Sequence, residues 1–146
     1  MRNTKPASDQ GLANEQYKPI GFPVENGGSM TAKEIASKAF MYLDEKKAMD
    51  IKVIDISKIS VIADYFIITG GSNERQVKAI ADNVEEKLGK EGVVPRSVEG
   101  YQNARWILMD YGDVIIHIFN EEDRLFYDLE KIWMDGQAVE IADLME

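Results

Sequence analysis

Two strand-forming runs joined by a four-residue turn constrain this chain more than any other part of its sequence. The runs are residues 105–109 and 114–119, and the acidic segment 110–113 with an internal glycine lies between them. Runs rich in Ile, Val, Trp and Phe around so short a turn are typical of a β-hairpin. Residues 101–120 therefore predict a hairpin that forms sheet core on one side and part of a recognition surface on the other.

Trp106 is the most informative residue of this hairpin. It alternates with Leu108 and Asp110, so all three side chains are expected on one face of the sheet. A large aromatic residue beside acids, exposed in part, is typical of a protein interface. Packing in the core explains the same spacing equally well. His117 lies inside the second apolar run and is expected to be a hydrogen-bonded structural residue.

Length and composition indicate one globular domain. The chain has 146 residues and no cysteine, which excludes disulfides and thiolate metal sites. Its apolar runs are shorter than the roughly 18 residues of a membrane-spanning helix, and the N-terminus lacks the apolar core of a signal peptide. We therefore expect a cytoplasmic protein without a membrane partner.

The negative charge of the chain lies outside its first segment. The net charge is −9, and residues 1–29 hold three basic and three acidic residues, so the whole excess falls in residues 30–146. Binding to phosphate backbones depends on clustered Lys and Arg, so direct nucleic-acid binding is disfavoured. A basic protein partner is favoured by charge, although acidity that only improves solubility is an alternative explanation.

Three segments are expected along the chain. Residues 1–29 are rich in Asn, Gln, Gly, Pro and Ser and predict a disordered leader, either a tag or a native extension. Residues 30–134 carry the periodic patterns of a folded domain, and residues 135–146 predict an acidic C-terminal tail. Thr31 and Glu34 form a capping box, which predicts that a first helix starts there and runs to about Ala48.

The domain alternates strand and helix patterns. Strands are predicted at residues 51–56 and 63–69, and an edge strand, interrupted by Pro95, is predicted at residues 93–98. A helix that ends at Gly89 is predicted between the second and the third of these strands. A final helix is predicted over residues 121–133. The order predicts an α/β fold with a mixed β-sheet of about five strands flanked by helices.

The segment Gly70-Gly71-Ser72, between a strand and a helix, permits two interpretations. Backbone N–H groups at the start of a helix can hold a phosphate, and a Gly-Ser pair there is also found in nucleotidyltransferases. Those enzymes need carboxylates on a neighbouring strand to bind metal, whereas Asp82 and Glu85 follow here in a helical pattern. A tight turn with Ser72 as the helix cap is the favoured explanation. No catalytic residue, cofactor or metal is predicted, and a metal site formed by His117 with the hairpin acids is disfavoured.

Several separate motifs in this chain resemble the ribosomal silencing factor family, also called the Iojap-like proteins. They occur in the family's order over most of residues 30–133: Ala63-Asp64-Tyr65-Phe66, Thr69-Gly70 with Ser72, Arg75-Gln76-Val77, Ile80-Ala81-Asp82, Glu99-Gly100, Trp106-Ile107, Asp110 with Gly112-Asp113-Val114, His117, and Arg124 through Tyr127-Asp128-Leu129-Glu130 to Trp133. Gly71, where many relatives have a small polar residue, is a minor departure.

The resemblance implies both a fold and a function. The fold is related to nucleotidyltransferases but lacks their catalytic carboxylates. The function is non-enzymic: binding to the large ribosomal subunit through ribosomal protein L-fourteen, which sterically blocks joining of the small subunit and represses translation under nutrient limitation. Family members are often homodimers in solution. A nucleotidyltransferase-like nucleotide-binding enzyme and a homodimeric adaptor for another basic protein are the alternatives.

The resemblance also implies which residues meet the partner. Trp106 is the expected central contact, with acidic side chains beside it. The full predicted set of partner-binding residues is Trp106, Asp110, Asp113, Glu99, Gly100, Arg124 and Tyr127. Docking of the final helix onto the sheet explains Arg124 and Tyr127 equally well.

Overall fold

The computed structural model describes residues 30–121, 137–139 and 141–145. Within these residues the chain forms three helices and six strands. In chain order they are α1 (Ala32–Glu45), β1 (Met49–Asp55), β2 (Tyr65–Gly71), α2 (Glu74–Lys90), β3 (Ser97–Glu99), β4 (Trp106–Asp110), β5 (Val114–Asn120), β6 (Gln137–Ala138) and α3 (Ile141–Leu144).

The predicted capping box starts α1. The Thr31 hydroxyl accepts a hydrogen bond from the backbone N–H of Glu34 at 3.1 Å, and the Glu34 carboxylate accepts one from the N–H of Thr31 at 2.9 Å. The helix ends at Glu45 rather than near Ala48, because Lys47 takes a left-handed conformation with φ of 60° and turns the chain into β1.

The sheet is mixed, as predicted. Its strand order is β3-β4-β5-β2-β1-β6. β2 and β5 are parallel, and every other pairing is antiparallel. The predicted hairpin is confirmed as β4 and β5. The short β6 adds to β1 a strand that the sequence did not predict. β3 lies at the sheet edge, as Pro95 indicated.

Each face of the sheet carries its own apolar cluster. α1 and α2 cover one face and pack on buried residues such as Val53, Ile67 and Ile116. The opposite face holds a second cluster built from Ile54, Ile68, Ile115 and Phe119, with three half-buried side chains packed against it. These are Phe66, Trp106 and Leu108. Trp106 therefore lies on the face opposite the two long helices.

Two expectations about the start of α2 were wrong. Gly70 and Gly71 are the last residues of β2 rather than a turn, and Asn73, not Ser72, caps the helix by accepting from the Gln76 N–H at 2.9 Å. Glycine at position 71 has a packing reason, because a Cβ there would lie 3.0 Å from a methyl group of Val77.

The helix also continues past Gly89, which is buried within it. Lys90 is its last residue, and the left-handed glycine that follows is Gly92, with φ of 85°. Gly92 lies three residues after Gly89, and it follows the end of the helix because it takes the left-handed conformation.

The described parts of the segment expected to be a tail join the fold. β6 pairs with β1, and Leu144 is buried in the cluster beneath α1. The predicted leader and, beyond Glu121, the predicted final helix lie outside the described residues. Within the described ranges, no helix is both long enough and apolar enough to cross a membrane.

Candidate docking face

The sheet face opposite α1 and α2 collects several of the predicted partner-binding residues. Side chains alternate along β4, so Trp106, Leu108 and Asp110 project to this face while Ile107 and Met109 are buried on the other. Glu99 on β3 pairs directly with Leu108, and directly paired residues share a face. We call this surface the Trp106 face and define it by Glu99, Trp106, Leu108, Asp110 and His117.

Trp106 is half-buried and held by two contacts from β5. Its indole stacks on the ring of Phe119, with ring centroids 5.2 Å apart and an interplanar angle of 26°. Its Nε1–H donates a hydrogen bond to Nδ1 of His117 at 3.1 Å. The two sequence interpretations of Trp106, core packing and surface contact, therefore each describe part of one side chain, since the indole packs on the sheet and keeps an exposed part.

His117 is the structural strand residue that the sequence predicted. It is buried on β5, where its imidazole lies 4.8 Å from the ring of Phe66 and accepts the Trp106 hydrogen bond. Burial lowers its pKa to about 4, so the ring is neutral at pH 7. No pattern in the sequence indicated that His117 contacts Trp106, because that contact depends on the register between β4 and β5.

The predicted acids divide into a near and a far group. Glu99 is exposed and lies diagonally across from Trp106, a spacing of about 7–8 Å. Asp110 is four residues along β4, about 13 Å away, and its carboxylate accepts from the Gly112 N–H at 2.8 Å. Asp113 is exposed at the same far end. Glu99 is therefore the predicted acid that flanks Trp106.

A further acid near Trp106 was missed by the sequence analysis. Glu121 follows Phe119 by two residues, and its carboxylate lies over Gly70, where a Cβ would come within 2.7 Å of Oε2. Gly70 pairs with Phe119, the cross-strand partner of Trp106. Two carboxylates therefore flank the Trp106 end of the sheet, that of Glu99 from β3 and that of Glu121 from the end of β5. The predicted residues Arg124 and Tyr127 lie outside the described residues.

The start of α2 uses its own polar groups internally. The Ser72 N–H and hydroxyl both donate to Oε1 of Gln76, at 2.7 and 2.9 Å, and Asn73 accepts from the Gln76 N–H. These contacts satisfy donors that a phosphate would otherwise meet. Across the described ranges, no group of three or more His, Cys, Asp and Glu side chains is placed to hold a metal ion.

Two acids on α2 form a separate arrangement on the helical side. The Tyr101 hydroxyl donates to Asp82 at 3.1 Å, which fastens the turn after β3 to the helix. Glu85 lies one turn further on and is largely buried. Burial, with a smaller contribution from the charge of Asp82, raises the pKa of Glu85 to about 7. Asp82 and Glu85 lie beside the turn after β3 and do not reach the Trp106 face.

The Glu85→Gln variant is expected to be more stable than the wild type above neutral pH. The pKa of Glu85 is higher folded than unfolded, so wild-type stability falls as pH rises from about 4.5 through about 7. Gln removes this ionisation, and we expect a gain of about 3 kcal/mol at pH 8 and little at pH 4.5. Urea unfolding at both pH values measures it. Glu86→Gln, which removes an exposed charge from the same helix, is the control. Equal gains at both pH values would contradict the expectation.

The fold and the face together define a class: a mixed-sheet α/β domain whose exposed chemistry is an aromatic residue flanked by acids. A family model described as ribosomal silencing factor during starvation (RsfS) matches residues 29–146. The chain belongs to the ribosomal silencing factor family, which confirms the resemblance seen in the sequence motifs.

Individual relatives agree with this assignment. The chain is 39% identical over 116 residues to the ribosomal silencing factor RsfS of Halalkalibacterium halodurans, covering 80% of this chain and 99% of the relative. It is 40% identical to that of Bacillus subtilis, covering 79% and 95%. The crystal structure of a Chromobacterium violaceum protein matches with a TM-score of 0.70 and 36% identity, covering 76% of this chain and 92% of that one.

Proposed function

We propose that the chain binds the large ribosomal subunit through ribosomal protein L-fourteen, with the Trp106 face as the contact surface. Bound there, it blocks joining of the small subunit and so lowers translation when nutrients are limiting. The proposal also takes the protein to be cytoplasmic, to act without catalysis, and to form homodimers when it is not bound to the ribosome.

The partly exposed indole beside acidic side chains carries this proposal. A tryptophan that is packed on one side and exposed on the other brings a large contact area in a fixed position, and such residues dominate the binding energy of interfaces. Glu99, diagonal to Trp106, adds an acidic group beside that area. An aromatic centre with acids around it suits a partner that offers an apolar site among Lys and Arg.

The charge of the chain supports the same kind of partner. The excess of nine negative charges lies in residues 30–146, and proteins that hold ribosomal RNA are basic. Opposite charges accelerate encounter and favour the correct orientation. They also oppose direct contact with RNA phosphates, which makes a ribosomal protein the better partner than the RNA itself.

A subunit-joining assay tests the proposal. Separated ribosomal subunits are mixed at a Mg²⁺ concentration that allows joining, with and without the chain, and resolved on a sucrose gradient. We expect the joined-ribosome peak to fall and the chain to migrate with the large subunit. An unchanged peak with the chain left at the top of the gradient would contradict the proposal.

The alternatives give different results in companion measurements. Stabilisation of the chain against heat by a nucleotide with Mg²⁺ or Mn²⁺ would point to the nucleotidyltransferase-like function. A homodimer that ignores ribosomal subunits but binds another basic protein in a pull-down would point to an adaptor.

A further inference from the structure

The Trp106 indole and the His117 imidazole meet across two strands of the Trp106 face. Trp106 pairs with Phe119 and His117 pairs with Leu108, so the two rings are diagonal neighbours. The indole therefore extends along the sheet to place its Nε1–H 3.1 Å from Nδ1 of His117. The Phe66 ring, 4.8 Å from the imidazole and tilted by 58°, packs against it from β2.

The hydrogen bond fixes the tautomer of His117. Since Nδ1 accepts from the indole, the neutral ring carries its proton on Nε2. Within the part of the chain that the structure describes, Nε2 is buried and has no hydrogen-bond partner. An unpaired buried donor is unfavourable, and a Phe or Leu at this position would avoid it. Packing alone therefore does not explain a histidine here, whereas the need for an acceptor on Nδ1 does.

We propose that His117 is a positioning residue for docking: its Nδ1 holds the Trp106 indole in the orientation that the partner meets. This rests on the proposed function, because it assigns Trp106 to the contact surface. A free indole on a strand samples several rotamers, and binding must select one of them. The hydrogen bond and the stack on Phe119 make that selection before the partner arrives, which reduces the entropy lost on binding.

Two substitutions at position 117 separate this role from packing. His117→Asn keeps an acceptor oxygen near the position of Nδ1, whereas His117→Leu fills the space without an acceptor. The affinity of each for purified large ribosomal subunits is measured by sedimentation. We expect affinity about five- to tenfold weaker for His117→Leu and within about twofold of the wild type for His117→Asn.

The indole N–H provides a readout that a purely structural role would not move in this pattern. NMR gives its hydrogen-exchange rate, and Trp106→Phe assigns the signal against that of Trp133. We expect protection in the wild type and in His117→Asn, and loss of protection in His117→Leu. If His117→Leu does not fold, wild-type protection and the His117→Asn affinity decide the question.

Distinct outcomes separate failure of this inference from failure of the proposed function. Wild-type affinity in a folded His117→Leu variant with an unprotected indole would overturn the positioning role, as would an unprotected indole in the wild type. Wild-type affinity in Trp106→Ala would instead remove Trp106 from the contact surface, and the positioning role would fall with the proposed function.

Discussion

Trp106→Ala is expected to weaken binding to the large ribosomal subunit by at least about thirtyfold. Central aromatic residues of interfaces cost about 2 kcal/mol or more when truncated, and that loss corresponds to this factor. The substitution removes the exposed edge of the indole and leaves the acid Glu99 in place. Charge-driven encounter should therefore persist, so we expect the loss mainly in the dissociation rate.

The same variant also loses packing on Phe119, so its folding must be measured alongside. Because Trp106 is half-buried, we expect a stability loss of about 2 kcal/mol with native circular dichroism. Tyr101→Ala is the matched control, since Tyr101 is also a partly exposed aromatic but contacts Asp82 on the helical side. It should retain wild-type affinity. Equal affinity in the Trp106 and Tyr101 variants would contradict the expectation.

Gly100→Ala is expected to destabilise the fold by about 3 to 5 kcal/mol. Gly100 has φ of +80°, and a Cβ there would lie 2.1 Å from the carbonyl oxygen of Trp106. That oxygen belongs to the backbone of β4, so no side-chain rotation relieves the clash. Urea unfolding at 25 °C measures the loss.

Gly112→Ala separates the two causes. Gly112 also has a positive φ, of +89°, but a Cβ there would meet only the flexible side chain of Arg96, at 3.7 Å and beyond. We expect a loss of about 1 to 2 kcal/mol, the cost of the left-handed conformation alone. If both alanine variants lose the same stability, the close approach of position 100 to the Trp106 carbonyl oxygen contributes nothing to the loss. The sequence assigned Gly100 to the partner surface, and the structure gives it this backbone role beside Trp106.

Local patterns predicted the elements of this fold well. The capping box of Thr31 and Glu34 depends on residues three apart, and the β4–β5 hairpin depends on a short turn between two apolar runs. Both signals are contained in a few consecutive residues. The final position of an element was harder: Gly70 and Gly71 resemble a turn in sequence but continue β2, because β5 pairs with them as far as Asn120.

Only part of the candidate site could be predicted from the sequence, because only part of it depends on a local pattern. Alternation along β4 placed Trp106 and Asp110 on one face correctly. The contact of Trp106 with His117 depends on the register of the β4–β5 hairpin, and the approach of Glu121 to Gly70 depends on the pairing of β5 with β2, which is far from it in sequence. Register is fixed by pairing across the sheet and by turn geometry, and not by the apolar pattern of a single run, so the runs alone did not reveal those neighbours.

Co-sedimentation with separated ribosomal subunits tests the central claim most directly. The chain is mixed with purified large or small subunits at physiological ionic strength and centrifuged through a sucrose cushion. We predict that it pellets with the large subunit, saturates at one copy per particle, and stays in the supernatant with the small subunit. If the chain stays in the supernatant with both subunits, or pellets with both alike, binding to the large subunit through the Trp106 face is contradicted.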